Sequence, residues 1–79
     1  MNWEDYIEIA EMLEAIYPNS PVDAISLSKS ELKEMIISLP GFINDADEAE
    51  ADYHAKFIRN AWVDIRIPKT YHVNDSAYL

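Results

Sequence analysis

Apolar residues recur at spacings of three and four along residues 3–17, and this pattern predicts an amphipathic first helix. The apolar positions gathered on its inner face are Tyr6, Ile9, Ala10, Leu13, Ile16 and Tyr17. Asn2 is a suitable N-cap, and acidic residues in the first turn favour the helix dipole. Pro18 ends this helix, because it disfavours a helical backbone conformation at Tyr17.

The next stretch predicts a connection followed by a second helix. Residues 22–27 alternate apolar and polar side chains, which indicates a very short strand or an extended linker. Ser28 and Glu31 have the spacing of a capping box, so a second helix starts there and runs to about residue 38. Its inward positions are Leu32, Met35, Ile36 and Leu39. Pro40 and Gly41 end the helix, and Gly41 is the only glycine in the chain.

A third helix is predicted from Asp45 or Asp47 to about Ile65, and Pro68 follows it. Its apolar residues step by four, with Ile58 and Trp62 beside the line formed by Ala49, Tyr53, Phe57, Ala61 and Ile65. We expect the aromatic residues Trp3, Tyr53, Phe57 and Trp62 to lie in the core. Residues 66–79 have no strong periodicity and predict an extended or flexible tail. The pattern therefore predicts an all-α fold, a small three-helix bundle over residues 1–65.

Charge is distributed unevenly along the 79 residues. Residues 1–52 carry thirteen Asp and Glu against two Lys, residues 53–79 carry four Lys and Arg against two Asp, and the formal net charge is −9. Most of the acid lies in two clusters, Glu4, Asp5, Glu8, Glu11 and Glu14 in the first helix, and Asp45, Asp47, Glu48, Glu50 and Asp52 at the start of the third. Such clusters repel the phosphates of nucleic acid. They favour docking on a basic protein surface or the binding of hard cations.

Composition restricts the chemistry further. There is no Cys, which excludes disulfides, thiolate ligands and a thiol nucleophile. No glycine-rich phosphate loop or catalytic triad arrangement is visible, so we expect no enzyme. No apolar run approaches the roughly 20 residues that span a membrane. The polar and acidic start is unlike a signal peptide. We expect a cytoplasmic monomer.

Several motifs occur in a fixed order along residues 2–65. The chain opens with Trp3-Glu4-Asp5 and Glu8-Ile9-Ala10-Glu11, and its first helix closes with Tyr17-Pro18. Leu32, Met35-Ile36, Leu39 and Phe42 follow, and then Trp62-Val63-Asp64. This order and spacing resemble the IscX family, also called YfhJ, of small acidic proteins encoded with bacterial iron–sulfur cluster assembly machinery.

The resemblance implies a three-helix, winged-helix-like domain that acts as an adaptor or regulator of cluster assembly. Family members bind the cysteine desulfurase of the pathway (IscS) through an acidic face and bind ferrous iron weakly. The partner-binding candidates are Asp5, Glu8, Glu11 and Glu4. Asp5, Glu8 and Glu11 match motif positions, whereas Glu4 does not and contributes only to the negative electrostatic field of the surface. The candidate metal ligands are Asp5, Glu8, Asp45 and Asp47, and we expect no tightly bound cofactor.

The chain departs from the family pattern in its second acidic segment. The family usually reads Phe-Asp-Asp-Asp-Pro there, whereas this chain has Phe42-Ile43-Asn44-Asp45-Ala46. The linker between the first two helices is about two residues longer than usual, and the tail continues beyond the usual end of the family.

Other interpretations of the acidic residues stay open at this stage. The first cluster could be a solvated face that maintains solubility. The second could be the N-cap and first turn of the third helix. A lone His54 near it is more often a surface or half-buried residue than a ligand. A rival function is an acidic DNA mimic that blocks a basic nucleic-acid-binding protein, and a helical module with an unrelated partner is a third.

Overall fold

A computed structural model describes residues 1–67, and in this range it contains three α-helices and no strand. They are α1 (Tyr6–Ile16), α2 (Lys29–Ile37) and α3 (Glu48–Arg66). The predicted all-α bundle is therefore confirmed. The longest helix, α3, packs against both α1 and α2. Within the described range, no helix is long and apolar enough to cross a membrane.

One apolar core lies between the three helices. Its buried members are Trp3, Ile9, Ala10, Leu13, Leu27, Leu32, Ile36, Leu39, Ala51, Ala55, Ile58, Ala61 and Trp62. No polar or charged residue is buried among the described ones. The hydrophobic effect is thus the main stabilising term, as expected for a small helical domain.

Local capping fixes the starts of α2 and α3. The Ser28 hydroxyl accepts a hydrogen bond from the Glu31 N–H at 3.2 Å, and the Glu31 carboxylate accepts one from the Ser28 N–H at 3.3 Å. Asp47 and Glu50 form the same reciprocal pair at 2.9 and 3.4 Å. Both capping boxes satisfy N–H groups that have no partner within the helix. The capping box of Ser28 and Glu31 was predicted from the sequence. Asp47 is one of the two residues at which the start of α3 was predicted.

The first helix begins three residues later than the pattern predicts. Residues 2–5 form a turn in which the Asp5 N–H donates to the Asn2 carbonyl at 3.1 Å. The Asn2 side chain accepts from the Glu4 N–H at 3.0 Å, so Asn2 stabilises this turn and the prediction that it caps α1 is wrong. The turn lets Trp3, which is 1% exposed, reach the core from outside the helix.

The connection between α1 and α2 also differs from the prediction. Where a very short strand or an extended linker was predicted, residues 23–27 form a turn. The Leu27 N–H donates to the Asp23 carbonyl and the Ser26 N–H to the Asp23 carboxylate, both at 2.9 Å. The bond from Ser26 lowers the pKa of Asp23. Asp23 thus stabilises the turn that carries Leu27 into the core.

The buried face of α3 is rotated from the predicted one. Its buried residues are Ala51, Ala55, Ile58, Ala61 and Trp62, whereas Tyr53 is 55% exposed and Ile65 36% exposed. Each step of four residues overshoots a full helical turn by about 40°. A strict i, i+4 line therefore spirals away from the core, and the predicted burial of Tyr53 is wrong. The helix ends at Arg66, one residue beyond the predicted domain boundary, so it includes the first residue of the tail predicted over residues 66–79. Residues 68–79 of that tail lie outside the described residues.

Candidate partner-binding surface

The outward side of α1 and the turn before it carry the four partner-binding candidates. Glu4, Asp5, Glu8 and Glu11 are all exposed. Ile7 lies between them and is 62% exposed. We call these five residues the α1 surface.

Three carboxylates of the α1 surface have no partner within residues 1–67. The side chains of Glu4, Glu8 and Glu11 form no hydrogen bond or ion pair in this range, where the ion-paired cations are Lys33 and Arg66. Asp5 differs, because its carboxylate accepts the Asn2 N–H at 2.8 Å. The α1 surface therefore presents negative charge that the described part of the chain does not neutralise.

Glu14, although it belongs to the same acidic helix, has a structural role. Its carboxylate accepts hydrogen bonds from Trp62 Nε1 at 2.9 Å and Arg66 Nε at 2.8 Å. These bonds, with that from Trp62 the larger cause, hold the pKa of Glu14 below its ordinary value. Sequence reasoning missed this pair, because 52 residues separate Glu14 from Arg66.

The second acidic cluster is largely accounted for by folding. Asp47 and Glu50 cap α3, and Asp52 forms an ion pair with Lys33 of α2. The hydrogen bond between Lys33 and Asp52 lowers the pKa of Asp52 and raises that of Lys33. Glu48 lies 3.9 Å from the same ammonium group. The helix-start interpretation of this cluster is therefore confirmed for Asp47.

Two of the four candidate metal ligands, Asp5 and Asp45, accept hydrogen bonds from the same residue. Asn2 donates from its backbone N–H to Asp5 at 2.8 Å and from its side chain to Asp45 at 3.3 Å. No hydrogen bond within residues 1–67 links Glu8 or Asp47 to that pair. In the same range, no three His, Cys, Asp or Glu side chains converge as a metal site would require. The donor chemistry suits a hard cation, but the donors are spread out.

Aromatic side chains pack beside the α1 surface. Tyr6 stacks on Phe57 with ring centroids 5.5 Å apart, and its hydroxyl lies 2.7 Å from His54 Nδ1. Burial raises the pKa of Tyr6. Tyr53 packs edge-on against Phe57 at 5.1 Å. His54 is thus half-buried in an aromatic cluster, as its isolation in the sequence predicted.

Ile7 is the residue of this surface that the sequence analysis missed. The available signal was its position: it falls outside the apolar face of α1, three residues after Glu4 and four before Glu11. Single exposed aliphatic side chains are common on protein surfaces, so Ile7 is of interest because of its place beside the unpaired carboxylates of α1.

Comparison with known proteins places the chain in a family. Residues 1–66 match the family model described as "Iron-sulphur cluster assembly". Neither the curated proteins nor the solved structures gave a match. The matched range contains all three helices and the α1 surface. The chain therefore belongs to the iron–sulfur cluster assembly family of IscX and YfhJ proteins, small accessory proteins of that process.

Proposed function

We propose that this protein is an acidic adaptor that docks through its α1 surface on a cysteine desulfurase of the cluster assembly pathway. One observation carries the proposal. The carboxylates of Glu14 and Asp52 are neutralised by cations of the fold, whereas Glu4, Glu8 and Glu11 are exposed without a partner in the described range. Carboxylates of equal charge at helical spacing are mildly destabilising, so their retention favours an external basic partner.

Ile7 adds an exposed apolar residue to the flank of this surface. Rim charges mainly accelerate encounter and set orientation, while buried apolar anchors supply more of the affinity. In the proposed complex, Glu8 and Glu11 contact basic side chains of the desulfurase and Ile7 packs beside them. Family membership supports the choice of partner, because it places the chain in cluster assembly.

The test is a two-dimensional NMR titration of the labelled protein with the cysteine desulfurase at low and at moderate salt. We expect perturbed signals at Asp5, Ile7, Glu8 and Glu11, and an affinity that falls steeply with salt because the charges are solvent-exposed. Glu8→Lys should weaken binding at low salt by about tenfold or more, equivalent to about 1.4 kcal/mol.

Glu34→Lys is the matched control. Glu34 is exposed on α2 and has no ion pair within residues 1–67, so this variant changes the net charge equally without altering the α1 surface. Equal losses for both variants would show that net charge, and not the α1 surface, determines binding. A salt-insensitive complex, or perturbations centred on α2, would contradict the proposal.

We also propose that ferrous iron binds weakly beside Asp5 and Asp45. Asn2 donates a hydrogen bond to each of these two carboxylates, and oxygen ligands suit a hard cation, with water completing its coordination. Glu8 and Asp47 remain candidate ligands from the sequence. Two carboxylates allow only an open site, so the affinity should be low.

Mn²⁺ is a convenient probe of this iron site, because its paramagnetism broadens nearby NMR signals. Asp45→Asn should abolish selective broadening around residues 2–5, while Asp64→Asn, an exposed change on α3, should leave it intact. An anaerobic ferrous iron titration should give the same difference between the variants. Broadening spread evenly over all acidic residues would refute a defined site.

A further inference from the structure

A groove lined by positively charged side chains lies between α2 and α3. Its volume is about 430 Å³, within the range of small-molecule sites. Leu32 and Ala55 give it an apolar wall, and Lys29, Lys56, Arg59 and Asn60 give it a polar one.

The groove concentrates the scarce positive charge of the chain. Three of the six Lys and Arg residues line it, although the protein carries a formal net charge of −9. No carboxylate lines the groove, and none of these three cations forms an ion pair within residues 1–67. Like charges brought together this way repel one another, so a bound anion would stabilise the arrangement.

The hydrogen bonds of Arg59 hold its guanidinium in place beside the groove. Its two terminal nitrogens each donate at 2.7 Å, one to the Val22 carbonyl and the other to the Leu27 carbonyl. Two of the five N–H donors of the guanidinium are therefore used within the fold, while its positive charge remains beside the groove.

The two lysines supply the ligand contacts. Lys29 is the first residue of α2, a position where its charge opposes the helix dipole and where an anion would be favourable. Lys56 also lines the groove and is exposed, but its ammonium lies over two rings outside the groove, 5.4 Å from the Tyr53 centroid and 5.8 Å from that of Phe57. Contact with a bound anion therefore requires this flexible side chain to turn from the rings towards the groove. Flexible ammonium groups act as point charges, which is how lysine binds phosphate.

We propose that this groove binds a small phosphate-bearing molecule. The phosphate contacts Lys29 and Lys56 in the field of Arg59, and the carbon skeleton packs on Leu32 and Ala55. The groove is formed by α2 and α3 and shares no residue with the α1 surface, so this site is independent of desulfurase docking.

The test is an NMR titration with inorganic pyrophosphate at constant ionic strength, with NaCl as the reference titrant. We expect saturable shifts at Lys29, Ala55, Lys56 and Asn60 and none at Glu8. The double variant Lys29→Gln/Lys56→Gln should weaken pyrophosphate binding at least tenfold. Arg59 is left unchanged, because its hydrogen bonds hold the connection between α1 and α2.

Lys33→Gln is the matched control, since Lys33 is also on α2 but pairs with Asp52 and does not line the groove. It should retain pyrophosphate binding, and circular dichroism should show that every variant is folded. If NaCl caused chemical-shift changes equal to those caused by pyrophosphate, the changes would be due to ionic screening, and the proposed site would be wrong. Tighter binding of citrate than of pyrophosphate would overturn the phosphate assignment. Unchanged binding by the double variant would overturn the placement.

Discussion

Trp3→Ala is expected to lower the free energy of unfolding by about 3–5 kcal/mol, the usual cost of truncating a buried aromatic residue to alanine. Trp3 is 1% exposed and packs edge-on against Phe42 with ring centroids 5.0 Å apart. Its indole N–H donates to the Asn44 side chain at 2.8 Å. The substitution therefore removes a large apolar group and a hydrogen bond together.

The loss is large for this protein because small domains have little stability to spare. The free energy of unfolding of a 79-residue domain is ordinarily roughly 4–12 kcal/mol. At roughly 4–8 °C per kcal/mol, the melting temperature should fall by about 12 °C or more. Urea denaturation followed by circular dichroism measures the change without relying on the fluorescence of the two tryptophans.

Two further variants identify the source of the effect. Trp3→Phe keeps an aromatic ring and removes the N–H donor, so it should cost about 1–2 kcal/mol. Tyr53→Ala removes an aromatic residue that is 55% exposed and should cost less than about 1 kcal/mol. If Tyr53→Ala were as damaging as Trp3→Ala, the core would follow the i, i+4 line predicted from the sequence, and the observed face of α3 would be wrong.

Trp3 also connects the two regions that carry the acidic clusters. The Met1 carbonyl accepts from the Ile43 N–H at 2.8 Å, and Asn2 contacts Asp45. Residues 1–3 thus lie along residues 43–45, with the Trp3 ring beneath them. The proposed iron site depends on this pairing, because it brings Asp5 near Asp45.

Local sequence determines the features that were predicted correctly. The start of α2 depends on Ser28 and Glu31, which lie within one turn, and Pro18 ends α1 through its effect on Tyr17 alone. Spacing along α1 also placed Glu8 and Glu11 on the solvent side, where the structure has them. Interactions of this range leave a signal in a single sequence.

Contacts between distant residues determine the features that were missed. Glu14 was assigned only to the general acidic field, although its partners Trp62 and Arg66 neutralise it. Lys33 and Asp52 pair across two helices in the same way. Which carboxylates remain free for a partner therefore depends on packing that helical spacing does not encode.

Glu14→Ala should lower the free energy of unfolding by about 2 kcal/mol near neutral pH. The substitution leaves the fully buried Trp62 without an acceptor for its indole N–H, and it removes the carboxylate partner of Arg66. An unpaired buried donor costs about 1–3 kcal/mol. Arg66 also donates to the Ser20 carbonyl at 2.7 Å, so loss of its alignment loosens the chain after α1 as well.

This contribution should depend on pH in a defined direction. Folding lowers the pKa of Glu14 below its ordinary value of 4.5. The unfolded chain therefore takes up the proton first, and the stabilisation by the ionised carboxylate is complete above about pH 4.5 and decreases as the pH falls through the folded-state pKa. The stability difference between the wild type and Glu14→Gln should accordingly shrink below pH 4.5 and be constant above pH 6.

Glu11→Gln is the control that distinguishes the loss of the Glu14 hydrogen bonds to Trp62 and Arg66 from a simple change in net charge. Glu11 lies on the same helix, is exposed and has no ion pair within residues 1–67, so its substitution changes the charge equally. It should alter stability by less than about 0.5 kcal/mol at neutral pH. Equal destabilisation by the two substitutions would show that the carboxylates of α1 are equivalent. The division into a structural Glu14 and partner-binding carboxylates at Glu8 and Glu11 would then fail, and with it the observation on which the proposed docking surface rests.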